Sequence, residues 1–286
     1  MQDIRDIKLS IDTDVVRKIF WNAINAKEYL TLLWHDQKSL KRMSTAEIYW
    51  LIVSTWDYNK AVDIIRSVFK KTNKYQEWKK WDDSISILLN EWRELNFWEI
   101  SWPFSQGDFD GFVQRINAEK IDRLEKDEKV KSSAVRYRRI KELNTTRNDF
   151  LETLIFDKNN NIIPTLSHSR WVDFFINGIS FDQKVAKSPT AQFKKDFWEQ
   201  AWKQKAKDNP EKVAEYLYQY QDEGRFWAWP RLYVVYLEED ISPVKIKSII
   251  DSIDLNNPTT ITFNYKHQNG WVKTYQTQCF VILLHN

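Results

Sequence analysis

Asp173, Asp182 and Lys184 are the residues of this chain whose types and spacing could do chemistry. They flank Asn177-Gly178 in the stretch WVDFFINGISFDQKV, Trp171 to Val185. Asn-Gly readily takes positive φ at both centres of a two-residue turn, so two short apolar runs on either side of it predict a tight β-hairpin. In that register Ile176 faces Ile179, Phe175 faces Ser180, Phe174 faces Phe181 and Asp173 lands opposite Asp182. Strand alternation then puts both carboxylates on one face with Trp171, Phe175 and Lys184, and turns Val172, Phe174, Ile176, Ile179, Phe181 and Val185 toward a core. Like charges directly opposed destabilise a sheet, so the pair calls for solvent or a compensating cation. Mg²⁺ takes carboxylate oxygens and keeps several waters, which suits a site that must hold a phosphate and an attacking water. Lys184 beside it could orient the nucleophile or offset charge developing on phosphorus. The competing reading is a solvated hairpin face with no function, and the bulky neighbours Trp171 and Phe175 weigh against it.

Asp173, followed nine positions on by Asp182-Gln183-Lys184 and set between two amphipathic helices, resembles the PD-(D/E)XK nuclease superfamily. The resemblance spans roughly Ser132 to Glu238, and Val172 stands where the family's name has proline. It implies an α/β (α+β) fold: a restriction-endonuclease-like αβββαβ core with a mixed sheet. It also implies a DNA phosphodiesterase using Mg²⁺ (or Mn²⁺), with Asp173 and Asp182 ligating the metal, the Gln183 carbonyl completing its shell and Lys184 positioning the attacking water. In such nucleases the first core helix often presents a glutamate toward the metal; Glu152 is the candidate by position, and Asp149, one turn earlier, is its rival.

Those residues need elements to hold them. Ala134 to Phe156 shows a helical apolar stripe (Val135, Ile140, Leu143, Phe150, Leu151, Leu154) and reads as the first core helix. Ile162 to Leu166 reads as the first strand, and Pro164, which cannot donate to a ladder, assigns it to an edge. His168 and Arg170 lie just ahead of the hairpin, within reach of a phosphate. Ser188 and Pro189 read as the cap and first position of a helix whose N-terminus, with Lys187, suits an anion. That helix carries Lys194, Lys195, Lys203, Lys205 and Lys207 among Phe193, Phe197, Trp198 and Trp202, a pattern fit for nucleic acid although Asp196, Glu199 and Asp208 partly cancel it. Asn209-Pro210 starts another helix that should end near Gly224. Leu232 to Leu237 reads as a buried strand, followed by a helix from Pro243 to Ile253 and a hairpin, Ile261 to Tyr265 with Val272 to Leu284, around Asn269-Gly270.

Ahead of the core the pattern is helical: Val15 to Trp34 without a glycine, a capping box at Ser44 to Glu47, then Ala61 to Lys70, Tyr75 to Leu95 and Phe109 to Glu128. This divides the chain into an all-α N-terminal domain, residues 1–130, and a nuclease-like domain, residues 131–286. The first holds nine of the fifteen tryptophans. Indoles at helical spacing usually pack; the alternative is that Trp98 to Phe104 forms an exposed platform for bases or a partner subunit. Lys120 to Arg139 is densely charged: through Val130 the signs alternate and read as a solvated helix or linker, and past Ser132-Ser133 the run turns positive with Arg136, Arg138, Arg139 and Lys141, which could meet phosphates or form a solvated face.

With 286 residues, 42% hydrophobic and 15% aromatic, the chain is not disordered. Forty-three Lys and Arg against forty Asp and Glu give +3, so a nucleic-acid surface must come from local clustering. One cysteine and four scattered histidines exclude a Cys-rich zinc site or an internal disulfide. No secretory signal or apolar run of membrane length is evident, so a cytoplasmic protein without membrane contact is expected. A homodimer follows by analogy with double-strand cutters, and a restriction or phage-defence role by analogy of fold. The rivals are a non-catalytic module binding nucleic acid or protein through its tryptophan-rich helices, and a nuclease that cuts RNA.

Overall fold

The computed structural model describes residues 6–72, 75–76, 106–166, 172–198, 201–221, 228–238 and 241–286. The fold is mixed α/β, built on a six-stranded mixed sheet. The chain falls into two compact units, Met1–Gln76 with Thr153–Asn286, and Glu77–Glu152. This differs from a division at residue 130, and the reason is apolar burial. The first helices share one core with Ile163, Val172 and Phe175 of the strand region, so the helical segment and the hairpin are covered together.

In the first unit five helices come first: α1 (Thr13–Phe20), α2 (Ala23–Leu32), α3 (Gln37–Arg42), α4 (Thr45–Ser54) and α5 (Tyr58–Lys70). The expected single helix from Val15 to Trp34 is two, because Trp21 turns left-handed at φ 57° and Asn22 caps a fresh start by accepting from the Asn25 N–H. A capping side chain offers the backbone an alternative to continuing the helix. The capping box at Ser44 and Glu47 is present. Arg66 of α5 is buried and donates from one guanidinium nitrogen to the carbonyls of Phe156 (3.0 Å), Asn159 (2.9 Å) and Ile162 (2.9 Å). The first two are carbonyls left open where a helix ends, the third belongs to the strand that follows, and the guanidinium places positive charge at the helix's negative pole.

That helix is α7 (Arg123–Lys158), which follows α6 (Gln106–Ala118). The charged run from Lys120 is therefore mostly helix, and the helix expected over Phe109 to Glu128 is broken after Ala118. In the second unit Phe109 stacks on Tyr137 at 5.4 Å, and Lys129 bonds Glu119 at 2.9 Å. The expected helix Tyr75 to Leu95 beyond Gln76, the Trp98 to Phe104 segment, and Gly224 lie outside the described residues.

The strands are β1 (Ile162–Pro164), β2 (Phe174–Ile176), β3 (Ile179–Ala186), β4 (Arg231–Tyr236), β5 (Thr259–Lys266) and β6 (Val272–Leu284), in the order β1-β2-β3-β4-β6-β5. β1, carrying Pro164, is an edge. β1, β2 and β3 are antiparallel neighbours, whereas β4 is parallel to β3 and to β6. Between β3 and β4 run α8 (Ala191–Asp196), α9 (Trp202–Asp208) and α10 (Pro210–Gln219). The cap of α8 is Thr190, whose hydroxyl accepts from the Phe193 N–H, not Ser188. The long basic helix expected there is interrupted at Trp198, which takes φ 58°. These helices bury Phe193, Val213, Ala214 and Tyr218 against Tyr233, Val235, Ile261, Phe263 and Tyr265. Finally, α11 (Pro243–Ser252), capped by Ser242, precedes the β5–β6 hairpin.

Candidate active site

The hairpin forms in the expected register. Asn177 and Gly178 have φ of 51° and 85°, and Ile176↔Ile179, Phe175↔Ser180 and Phe174↔Phe181 pair. Gly178 suits its position because L side chains rarely adopt φ 85°, and a Cβ there would also press on the side chains of Asp6 and Lys8.

Two features differ from the sequence reading. First, both faces of the hairpin are covered. Phe175 is 1% exposed within the core made by α1, α2, α4 and α5, so it is not an exposed neighbour of the acids. Second, Asp173 does not pair squarely with Asp182. Its N–H bonds the carbonyl of Phe181, the residue already paired with Phe174, at 2.9 Å. Residues 173 and 174 thus share one partner and the ladder ends, which is how a bulge re-aims a side chain. The Asp173 carboxylate accepts from the Gln183 N–H at 2.6 Å.

This arrangement follows from the end of β2. β3 continues to Ala186 while β2 pairs only as far as Phe181. Asp182 directs its N–H to Pro230 at 3.1 Å, on the β4 side. Backbone groups alternate along a strand, so Gln183 directs its N–H and C=O to the other edge, where Asp173 lies. Asp182 points out of the sheet on the same side as Lys184, whose ammonium donates to it at 2.6 Å. The two differ in access: the Asp182 side chain is 9% exposed and that of Lys184 is 49%.

Arg231, the first residue of β4 and the cross-strand neighbour of Asp182, has no part in the sequence reading. Its side chain is 5% exposed and its Nε lies 3.5 Å from the second Asp182 oxygen, an ion pair without hydrogen-bond geometry. It donates to Gln221 at 2.5 Å and to Tyr233 at 3.3 Å, and lies over the Tyr218 ring at 5.2 Å. Burial opposes its charge, but the Tyr233 hydroxyl that accepts from it and the Asp182 carboxylate outweigh that and hold its pKa above the ordinary value. Burial pushes the Tyr218 and Tyr233 phenols up, so both stay neutral. Tyr218 donates a hydrogen bond to the Trp229 carbonyl at 2.6 Å. A cation within strand-pairing distance could have been suspected from an arginine opening an apolar run.

The like-charge argument for a metal is thereby altered, because Lys184 and Arg231 already stand beside Asp182. The available donors are hard oxygens: two carboxylates and the Gln183 carbonyl. That set fits Mg²⁺ or Mn²⁺ with water completing the shell. Among the described residues no three His, Cys, Asp or Glu side chains gather as a ready-made metal cluster. The buried Gln183 side chain contributes nothing to the set; its amide oxygen finds no protein partner among the described residues.

Of the other expected residues, Glu152 is the last residue of the second unit, with Asp149 one turn before it on α7. Lys187 follows β3, and Lys194 and Lys195 lie in the last turn of α8. Lys194 sits over the Trp202 ring at 4.8 Å. His168, Arg170 and Trp171 lie outside the described residues. No helix among the described residues is long and apolar enough to cross a membrane. No protein-family model, curated protein or solved structure matches this chain.

Proposed function

We propose that this chain is a divalent-metal-dependent nuclease that hydrolyses DNA phosphodiester bonds, with the restriction-endonuclease-like architecture of PD-(D/E)XK enzymes. The observation that carries the reading is the meeting of three groups where β2 leaves β3: Asp173 on the peptide after Asp182, and Lys184 on Asp182 itself. The chain order supports it: a long helix, three antiparallel strands, helices, then a fourth strand parallel to the third. A bound Mg²⁺ would supply an activated water and offset charge on the phosphate. Asp173, Asp182 and the Gln183 carbonyl would hold it. Lys184, half exposed, would exchange its contact with Asp182 for one to the attacking water or a phosphate oxygen. Arg231, buried and held by Gln221 and Tyr233, would stay beside the Asp182 carboxylate. Lys187, Lys194 and Lys195, together with His168 and Arg170, would meet the DNA backbone. A role in restriction or phage defence is part of the proposal.

A second reading has one observation in its favour: Asp182 is already balanced by two protein cations, as a purely structural network would be. In that case the domain binds nucleic acid or a partner protein without cutting. Incubation with plasmid DNA separates the two. The nuclease should nick or linearise it in Mg²⁺ or Mn²⁺ and leave it intact in EDTA; intact plasmid under all conditions favours the binding module. Cleavage of RNA but not DNA would change the polymer and keep the chemistry.

A further inference from the structure

We propose that the β5–β6 ribbon is a second DNA-contacting surface that enters the major groove of the duplex. The inference takes from the preceding reading only the identity of the polymer. β6 pairs with β4 from Cys279 to Leu284, so Val272–Gln278 pairs with β5 alone. A two-stranded ribbon therefore runs on for about 20 Å, at roughly 3.4 Å per residue.

One face of the ribbon carries Ile261, Phe263 and Tyr265, held in the core that includes Val213, Ala214 and Tyr218 of α10. The other carries Thr260, Thr262 and Asn264 opposite Gln278, Gln276 and Thr274, with Lys266 opposite Val272 nearest the tip, and Thr274 donates to Asn264 at 2.7 Å. The exposed hydroxyl and amide groups of Thr260, Thr262, Asn264, Thr274 and Gln276 are of the kind that donate and accept toward base edges. The tip is built to stay rigid. The His267 N–H bonds the Trp271 carbonyl and the Gly270 N–H bonds the His267 carbonyl, both at 2.8 Å, while Gly270 takes φ 86°. The His267 ring lies 2.8 Å from the Tyr275 hydroxyl. From this tip Trp271 stands 76% exposed and Val272 64%.

Charge selects the partner. Leu255 to Asn286 contains no aspartate or glutamate, although the chain has forty such residues, and the exposed charges of the ribbon are Lys266 and Lys273. Alternation puts Lys266 on the polar face and Lys273 on the face of Phe263 and Tyr265, where its ammonium lies over the Tyr275 ring at 5.2 Å. A major groove about 12 Å wide admits a two-stranded ribbon and has phosphates on both walls. Lys266 would reach one of those walls, and Trp271 would pack on a base or sugar face, as exposed aromatic side chains do on nucleic acids. A stretch without carboxylates avoids repulsion from a polyanion over its whole length.

The test is duplex DNA binding in EDTA, where no cleavage occurs, followed by fluorescence anisotropy over a range of salt. Trp271→Ala is expected to weaken binding about tenfold, and Lys266→Ala to lower the slope of log affinity against log salt by about 1. Melting temperatures should be unchanged, because both side chains are exposed. A-form RNA duplex of the same sequence should bind more weakly, its major groove being too deep and narrow for the ribbon. If the wild type binds and cuts DNA while the ribbon variants bind as tightly as it does, the ribbon assignment fails and the nuclease reading stands. Equal affinity for the RNA duplex would overturn the groove placement. If the wild type neither binds nor cuts DNA, both fall together.

Discussion

Replacing Lys184 by alanine is expected to slow DNA cleavage roughly 10²- to 10³-fold, the usual cost of removing one preorganised charge from a transition state. The protein should fold all the same. The Lys184 side chain is 49% exposed, and Asp182, 9% exposed, keeps Arg231 when the lysine is gone. An ion pair with one partner in solvent contributes about 1 kcal/mol, so urea unfolding should shift little. Arginine in its place should rescue poorly, because a planar fork cannot occupy the position of a compact ammonium. Single-turnover cleavage and urea unfolding of the same preparations check the two halves. A large loss of stability in Lys184→Ala would make the lysine a structural residue.

Arg231→Ala is expected to have the opposite signature, a loss of stability first and of activity as its consequence. Removing one partner of a buried ion pair costs about 3–5 kcal/mol because the other charge is left without compensation. Here Asp182 keeps Lys184, which places the expected loss toward the lower end. Gln221 and Tyr233 also lose their bond to the guanidinium. Asp182→Ala should destabilise through the same pair, so loss of activity in that variant is interpretable only beside its unfolding curve. The double variant should be less destabilised than the sum of the singles, since each change removes what the other left unpaired. Midpoints of urea unfolding for the two singles and the double measure this directly. A single Arg231→Ala variant as stable as the wild type would show that the 3.5 Å ion pair holds nothing together.

The parts of this fold that were legible in the sequence are those decided locally. Asn177-Gly178 needs positive φ at two consecutive residues and so fixes a turn and a register. Pro164 places its strand at an edge, the apolar run from Leu232 is a buried strand, and Asn269-Gly270 marks the terminal hairpin. Long-range pairing leaves no such trace. Nothing near Cys279 says that β6 will lie between β4 and β5 and run parallel to β4. Nor does the helical stripe of the first residues say that its core includes Phe175. Trp21 and Trp198 break helices by turning left-handed, a conformation that indole side chains give no reason to expect.

At the site the sequence pattern brought out the acids and the lysine but missed the counter-charge. Asp173 was expected to face Asp182, and it reaches the Gln183 N–H instead because it shares the partner Phe181 with Phe174 and the ladder begins only at Phe174. Arg231 is far away in the chain and looks like the polar boundary of an apolar strand. Only the parallel pairing of β3 with β4 makes it the neighbour of Asp182.

The central claim is that Asp173 and Asp182 act together on a divalent cation. Single-turnover cleavage of a labelled DNA duplex by the wild type and by Asp173→Asn, across a Mg²⁺ titration, tests it most directly. The expected result is a saturable Mg²⁺ dependence in the wild type and no cleavage by the variant at any Mg²⁺ concentration. Cleavage by the wild type that survives EDTA, or an Asp173→Asn variant that cuts as fast as the wild type, would contradict it.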